Sequence, residues 1–153
     1  MTATRASAFG KSLPNSIWNS NVLHLPSPLV DAHSAFLNAK GWMDSYHPGP
    51  GGGAGGVSSE DAQAHVTNRF LNSAARMQFV CSDPNEEQVA VRDMVLDQLG
   101  EGHIFLLDLG AGNGAGTLAM LSLLCELREH KSIPKLPLNV SIHGVDYSPD
   151  ALA

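Results

Sequence analysis

A chain of 153 residues has the length of one ordinary domain, and its hydrophobic fraction of 43% suits a globular protein. A formal net charge of -6, with no Lys/Arg cluster, argues against nucleic acid and anionic membrane surfaces as non-specific partners. No apolar run approaches the roughly 20 residues that span a bilayer, and two distant cysteines, Cys81 and Cys125, point to a reduced, cytoplasmic compartment.

The first thirty residues contain Arg5 and Lys11 and no Asp or Glu, and are rich in Ser and Ala. Organellar transit peptides share that composition, but a plain loose terminus over Met1 to Asn21 is the preferred expectation, with Ile17, Trp18, Val22 and Leu23 as the residues able to dock. Pro26 and Pro28 then punctuate the chain. Val30, Ala32, His33, Phe36 and Leu37 fall at helical spacing and predict a short helix within Leu29 to Trp42. From His47 to Val57 the composition is that of a glycine-rich linker. It lacks the Lys that a phosphate-cradling P-loop requires. Residues 1–57 are therefore read as an extension and linker, and residues 58–153 as the domain that follows.

Ser58 to Asp61 has the form of a helix-capping box. Val66, Phe70, Ala74 and Met77 define the buried face of the predicted helix, with Asn68, Arg69, Asn72 and Arg76 on its other faces. A second helix is expected from about Asp83-Pro84, with Glu86 and Glu87 at its positive end. Val91, Met94, Val95 and Leu99 form its buried stripe, and Gly100 and Gly102 end it. Both helices are positioned to cover the mouth of a following site.

That site begins at Ile104. Ile104, Phe105, Leu106, Leu107 and Leu109 make a short apolar run, the pattern of a parallel strand covered on both faces. Gly110, Gly112, Gly114 and Gly116 follow at alternate positions, and Thr117 opens an apolar helix to Leu127 that reads as largely buried. A glycine turn between strand and helix leaves N–H groups aimed at one spot. Asn113 fits there as a residue that tolerates left-handed backbone. Leu138, Val140, Ile142 and Val145 predict a second strand ending at Asp146. Ser148-Pro149-Asp150 caps a further helix.

Strand, glycine turn, helix, strand and acid form the first half of a nucleotide-binding α/β fold. Gly110-Ala111-Gly112-Asn113-Gly114-Ala115 satisfies the G-x-G-x-x-A pattern of dinucleotide sites. Asp108, two residues ahead of Gly110, discriminates against NAD. A carboxylate there repels a pyrophosphate and attracts an ammonium or sulfonium, or else orients the turn by accepting hydrogen bonds.

Asp108-Leu109-Gly110-Ala111-Gly112-Asn113-Gly114 resembles the D/E-x-G-x-G-x-G motif of class I, Rossmann-like S-adenosylmethionine-dependent methyltransferases. Gly144-Val145-Asp146-Tyr147-Ser148-Pro149 is similar to the segment where that family places an acid at the end of its second strand. The resemblance covers roughly Ile104 to Leu152. It implies an α/β fold with a Rossmann-like parallel sheet, truncated after the second strand and preceded by helices, and S-adenosyl-L-methionine as cofactor. It also implies that Gly110, Ala111, Gly112, Asn113 and Gly114 lie against the cofactor. Asp146 then accepts hydrogen bonds from both ribose hydroxyls. Tyr147 packs either beside the adenine or into the core. About thirty residues separate Gly114 from Asp146, against the roughly twenty of a dinucleotide unit; the loop around Lys131 to Leu136 takes up the excess.

The family's later strands and its substrate-facing segment have no counterpart here. The sequence therefore reads as the amino-terminal portion of a longer methyltransferase, with a missing carboxyl-terminal half or a partner chain and a small-molecule acceptor. Two rivals stand beside it: a dinucleotide-binding half of an oxidoreductase, and a non-catalytic assembly module. No catalytic residue is assigned. His24, His33, His47, His65, His103, His130 and His143 are scattered without metal-ligand spacing, each reading as a solvated or satisfied imidazole. No Ser-His-Asp arrangement can be assembled from the order of residues.

Overall fold

The structure is a computed structural model that describes residues 13–47 and 58–152. The start of the chain through residue 12 and most of the glycine-rich stretch read as a linker lie outside those residues. The architecture is mixed α/β. A hairpin of β1 (Trp18–Asn19) and β2 (Val22–Leu23) leads to α1 (Ser27–Lys40). Helices α2 (Ser59–Ser82) and α3 (Val89–Leu99) precede β3 (His103–Leu109), α4 (Ala115–Glu129), β4 (Asn139–Val145) and the short α5 (Pro149–Leu152). β3 and β4 pair in parallel, with Asp108 opposite Gly144 and Leu109 opposite Val145.

Local chemistry accounts for most helix ends. Pro28 occupies the first turn of α1, where its missing N–H is not needed, and Gly41 closes the helix in left-handed backbone at φ 70°. The Ser58 hydroxyl accepts the Asp61 N–H at 3.2 Å and opens α2 as expected. Ser148 does the same for Ala151 at 3.3 Å, opening α5.

The start of α3 differs from the sequence reading. Asp83 closes α2 at φ 41°, and its carboxylate accepts the N–H groups of Glu87 and Gln88 at 3.0 and 2.8 Å. Those bonds hold residues 83–88 in a turn, so α3 begins only at Val89 and Glu86 and Glu87 precede it. Its buried residues are Arg92, Leu96 and Leu99, while Met94 is 60% exposed. The stripe has rotated because Arg92 lies inward, its guanidinium paired with Glu86 and Asp93 at 3.3 Å each.

The main core joins Ile17 of the N-terminal segment to Leu96 and Leu99 of α3, Ile104 of β3, Leu123, Leu124 and Leu127 of α4, and Ile133. The segment around Ile17 is not loose but docked, the alternative its apolar residues offered: Ile17 is fully buried, and Gln78 donates to the His24 carbonyl at 2.8 Å. A second cluster forms where α1, α2 and α4 meet, around Leu29, Phe70, Ala74, Ala115 and Ala119. The alanines let α2 and α4 approach closely beside the glycine turn. Phe70 and Ala74 are buried as expected, but Met77 is partly exposed beside Gly116.

Helix α4 is largely buried, as expected, through Ala115, Ala119, Leu123, Leu124 and Leu127, while Leu118 is 42% exposed. One further expectation is corrected: among the described residues, β3 is covered on one face only. Ile104 faces the helices, whereas Phe105, Leu107 and Leu109 are 61%, 55% and 73% exposed. Both faces read as apolar, but among the described residues helices pack on one side of this two-stranded sheet. Leu107→Thr on the bare face is therefore expected to change the free energy of urea unfolding by no more than about 0.5 kcal/mol. A larger loss would mean that this face is covered in solution. Among the described residues, no helix is long and apolar enough to cross a membrane.

Candidate functional site

The strand-to-helix turn is built from left-handed glycines: φ is 75° at Gly110, 51° at Gly112 and 75° at Gly114, which precedes α4 as its cap. Asn113 is not among the positive-φ residues. It stands in the turn for its side chain, which contacts α2: the amide nitrogen lies 3.3 Å from both the Ala62 carbonyl and His65 Nδ1.

The turn's N–H groups are not all left aiming at a ligand, as the sequence suggested. Gly110 and Ala111 both donate to the Val145 carbonyl, at 2.7 and 3.1 Å, and Gly114 donates to Ala111 at 2.8 Å. Gly112 donates to Asp146 Oδ2 at 2.8 Å. The parallel partner strand and the acid that follows it thus engage much of the turn's donor capacity.

Asp108 lies beside the first turn of α4. Its Oδ2 accepts the Thr117 hydroxyl at 2.6 Å, and a Cβ added at Gly116 would stand 3.5 Å from the same oxygen. A carboxylate at a helix N-terminus is favoured by the N–H groups there. Asp108 therefore settles the first turn of α4 and holds negative charge beside it. Thr117, which sequence reasoning took only as the helix start, is the hydroxyl that fixes this carboxylate.

Asp146 has a comparable role on the other side. Oδ2 holds Gly112 and Oδ1 accepts the Ser148 N–H at 2.9 Å. These N–H groups, Ser148 first, keep its carboxyl below the usual carboxylate range. A carboxylate offers about four lone-pair positions, and with the backbone N–H groups of Ser148, Gly112 and Tyr147 directed at this one it retains capacity for a further donor. Tyr147 is 69% exposed, which excludes the core-packing alternative.

A cavity of about 440 Å³ gathers these groups. It is lined by Asp108, the turn from Gly110 to Asn113, Asp146 and Tyr147, and so includes every predicted site residue except Gly114. That volume falls within the range of about 300–1,000 Å³ typical of small-molecule sites. His65 also lines it, a residue the sequence gave no reason to single out. A larger cavity of about 530 Å³ lies on the other side of the turn, between α1, α2, α4 and α5. Its walls are mainly apolar and include neither Asp108 nor Asp146, so the smaller cavity is the candidate site.

One Ser-His-acid cluster does assemble in three dimensions. Ser16 donates to Glu126 at 2.6 Å and lies 3.3 Å from His130 Nε2, which is itself 3.5 Å from the same carboxylate oxygen. A proton relay requires the two imidazole nitrogens to face different partners. Here one nitrogen faces both, and the cluster anchors the N-terminal segment to the end of α4.

The chain matches no protein-family model, no curated protein and no solved structure. The functional reading accordingly rests on the site itself.

Proposed function

We propose that this chain carries the cofactor-binding part of a Rossmann-like, S-adenosylmethionine-dependent methyltransferase acting on a small-molecule acceptor. The observation that carries the reading is the placement of Asp108. It puts a carboxylate beside the first turn of α4, close to the helix start that a dinucleotide's pyrophosphate would need. Much of the donor capacity of the turn is already engaged by Val145 and Asp146. The site thus favours a cationic ligand over a phosphorylated one.

The residues present fit such a cofactor. Asp108 supplies negative charge near its ammonium and sulfonium groups. The left-handed glycines allow close approach to the backbone. The lone-pair capacity left on Asp146 suits a ribose hydroxyl, and the exposed ring of Tyr147 offers a surface for the adenine. When bound, S-adenosylmethionine supplies an activated methyl group. The chain's own part is to hold and orient it, since methyl transfer depends mainly on alignment with the acceptor. Calorimetry is expected to show S-adenosylhomocysteine binding that NADH does not displace. Tight NADH binding that S-adenosylhomocysteine fails to displace would instead favour an oxidoreductase.

A further inference from the structure

The contact between α2 and the glycine turn has a defined proton state. The Ala62 carbonyl can only accept, so the amide nitrogen of Asn113, 3.3 Å away, must face it. The same NH₂ group lies 3.3 Å from His65 Nδ1 and has its second hydrogen left to give there. Nδ1 must then accept, which fixes His65 as the neutral imidazole with its proton on Nε2. Protonation would place a second donor against the amide. Rotating the amide to present its oxygen to His65 would remove the nitrogen from Ala62 and set oxygen against oxygen. The bridge is therefore compatible with neutral His65 and incompatible with its cation.

The geometry points to His65 as a proton-operated latch on the glycine turn: neutral His65 holds the turn through Asn113, and protonation releases it and weakens cofactor binding. This rests on the cofactor reading above, because Asn113 lines the proposed cofactor cavity with His65. The charged surroundings have two signs. Arg69 lies one turn further along α2, whereas Asp146 and Asp108 face the cavity from the ends of β4 and β3. Burial lowers the His65 pKa most, Arg69 lowers it further, and Asp146 opposes them. A lowered folded-state value keeps the latch closed above the ordinary imidazole value of about 6.5. Its contribution declines as pH falls below that value through the folded-state pKa. Asp146 is held charged across this window, so it does not contribute to the change.

The test combines ¹⁵N NMR of the histidine ring with calorimetry from about pH 8 to about pH 5.5, spanning the imidazole range. Circular dichroism at each pH confirms that the chain is folded. In the ligand-free protein, His65 is expected to carry its proton on Nε2 and to titrate below the ordinary value. S-adenosylhomocysteine affinity is expected to fall by about fivefold toward the acid end. His65→Gln, whose amide oxygen can accept from Asn113 without titrating, should flatten that dependence. Asn113→Ala should give weak, pH-independent binding. An Nδ1–H tautomer, or an unaltered pH profile in His65→Gln, would overturn the latch. If S-adenosylhomocysteine binds at no pH, the cofactor reading fails, and the ring-nitrogen shifts alone decide the latch.

Discussion

Asp146→Ala is expected to weaken S-adenosylhomocysteine binding by about tenfold or more, the scale of losing charge-assisted hydrogen bonds at a binding site. Two losses combine. The ribose loses its acceptor, and the N–H groups of Gly112 and Ser148 lose the oxygens that hold them at 2.8 and 2.9 Å. The glycine turn and the start of α5 then relax together. Asp146→Asn should do little better, because its NH₂ group would face one of those N–H donors. The same bonds predict an acid-side signature. With its pKa depressed in the folded state, Asp146 contributes fully above the ordinary carboxylate value, and that contribution is lost as pH falls through the folded-state value. Urea titrations at several acidic pH values should show this decline in the wild-type chain and a shallower one in Asp146→Ala. Unchanged ligand affinity in the alanine variant would remove the ribose role.

Leu123→Ala is expected to cost about 2–5 kcal/mol of folding free energy, measured by urea unfolding. Leu123 is fully buried in α4 and belongs to the cluster that includes Ile17, Leu96, Leu99 and Ile104. Truncation removes buried methyl groups and leaves a hole bounded by separate elements, which cannot all move inward without breaking other contacts. Set against a typical domain stability of about 5–15 kcal/mol, the loss is large enough to shift the midpoint plainly. A cost below about 1 kcal/mol would show that the α4 core is loosely packed.

Much of the site was legible in the sequence because its determinants are local. Apolar residues followed by alternating glycines mark the β3-to-α4 turn, and Ser58 and Ser148 cap the helices they precede. Asp108 and Asp146 were also singled out, one near the end of the first predicted strand and the other closing the second. Their hydrogen-bond partners were not. Thr117 was visible only as a helix start, and the Asp146 contact to Gly112 depends on β3 and β4 lying side by side.

The other differences have equally specific causes. Met94 looked more suitable for burial than Arg92, yet the turn held by Asp83 fixes where α3 starts and therefore which residues face inward. Phe105, Leu107 and Leu109 have the composition of a covered strand, but coverage depends on where helices pack. His65 had no marker at all: Asn113 is 48 positions away along the chain.

By itself, the sequence determined the order of strand, glycine turn, helix and strand, and placed an acid at the end of each strand. Backbone conformation and apolar periodicity act over a few residues, so they can be read directly. Only the tertiary structure decided what those acids hold, which sheet face is bare and that α2 reaches the turn through His65 and Asn113. Hydrogen bonding and burial between distant segments require the chain to be folded before either is defined.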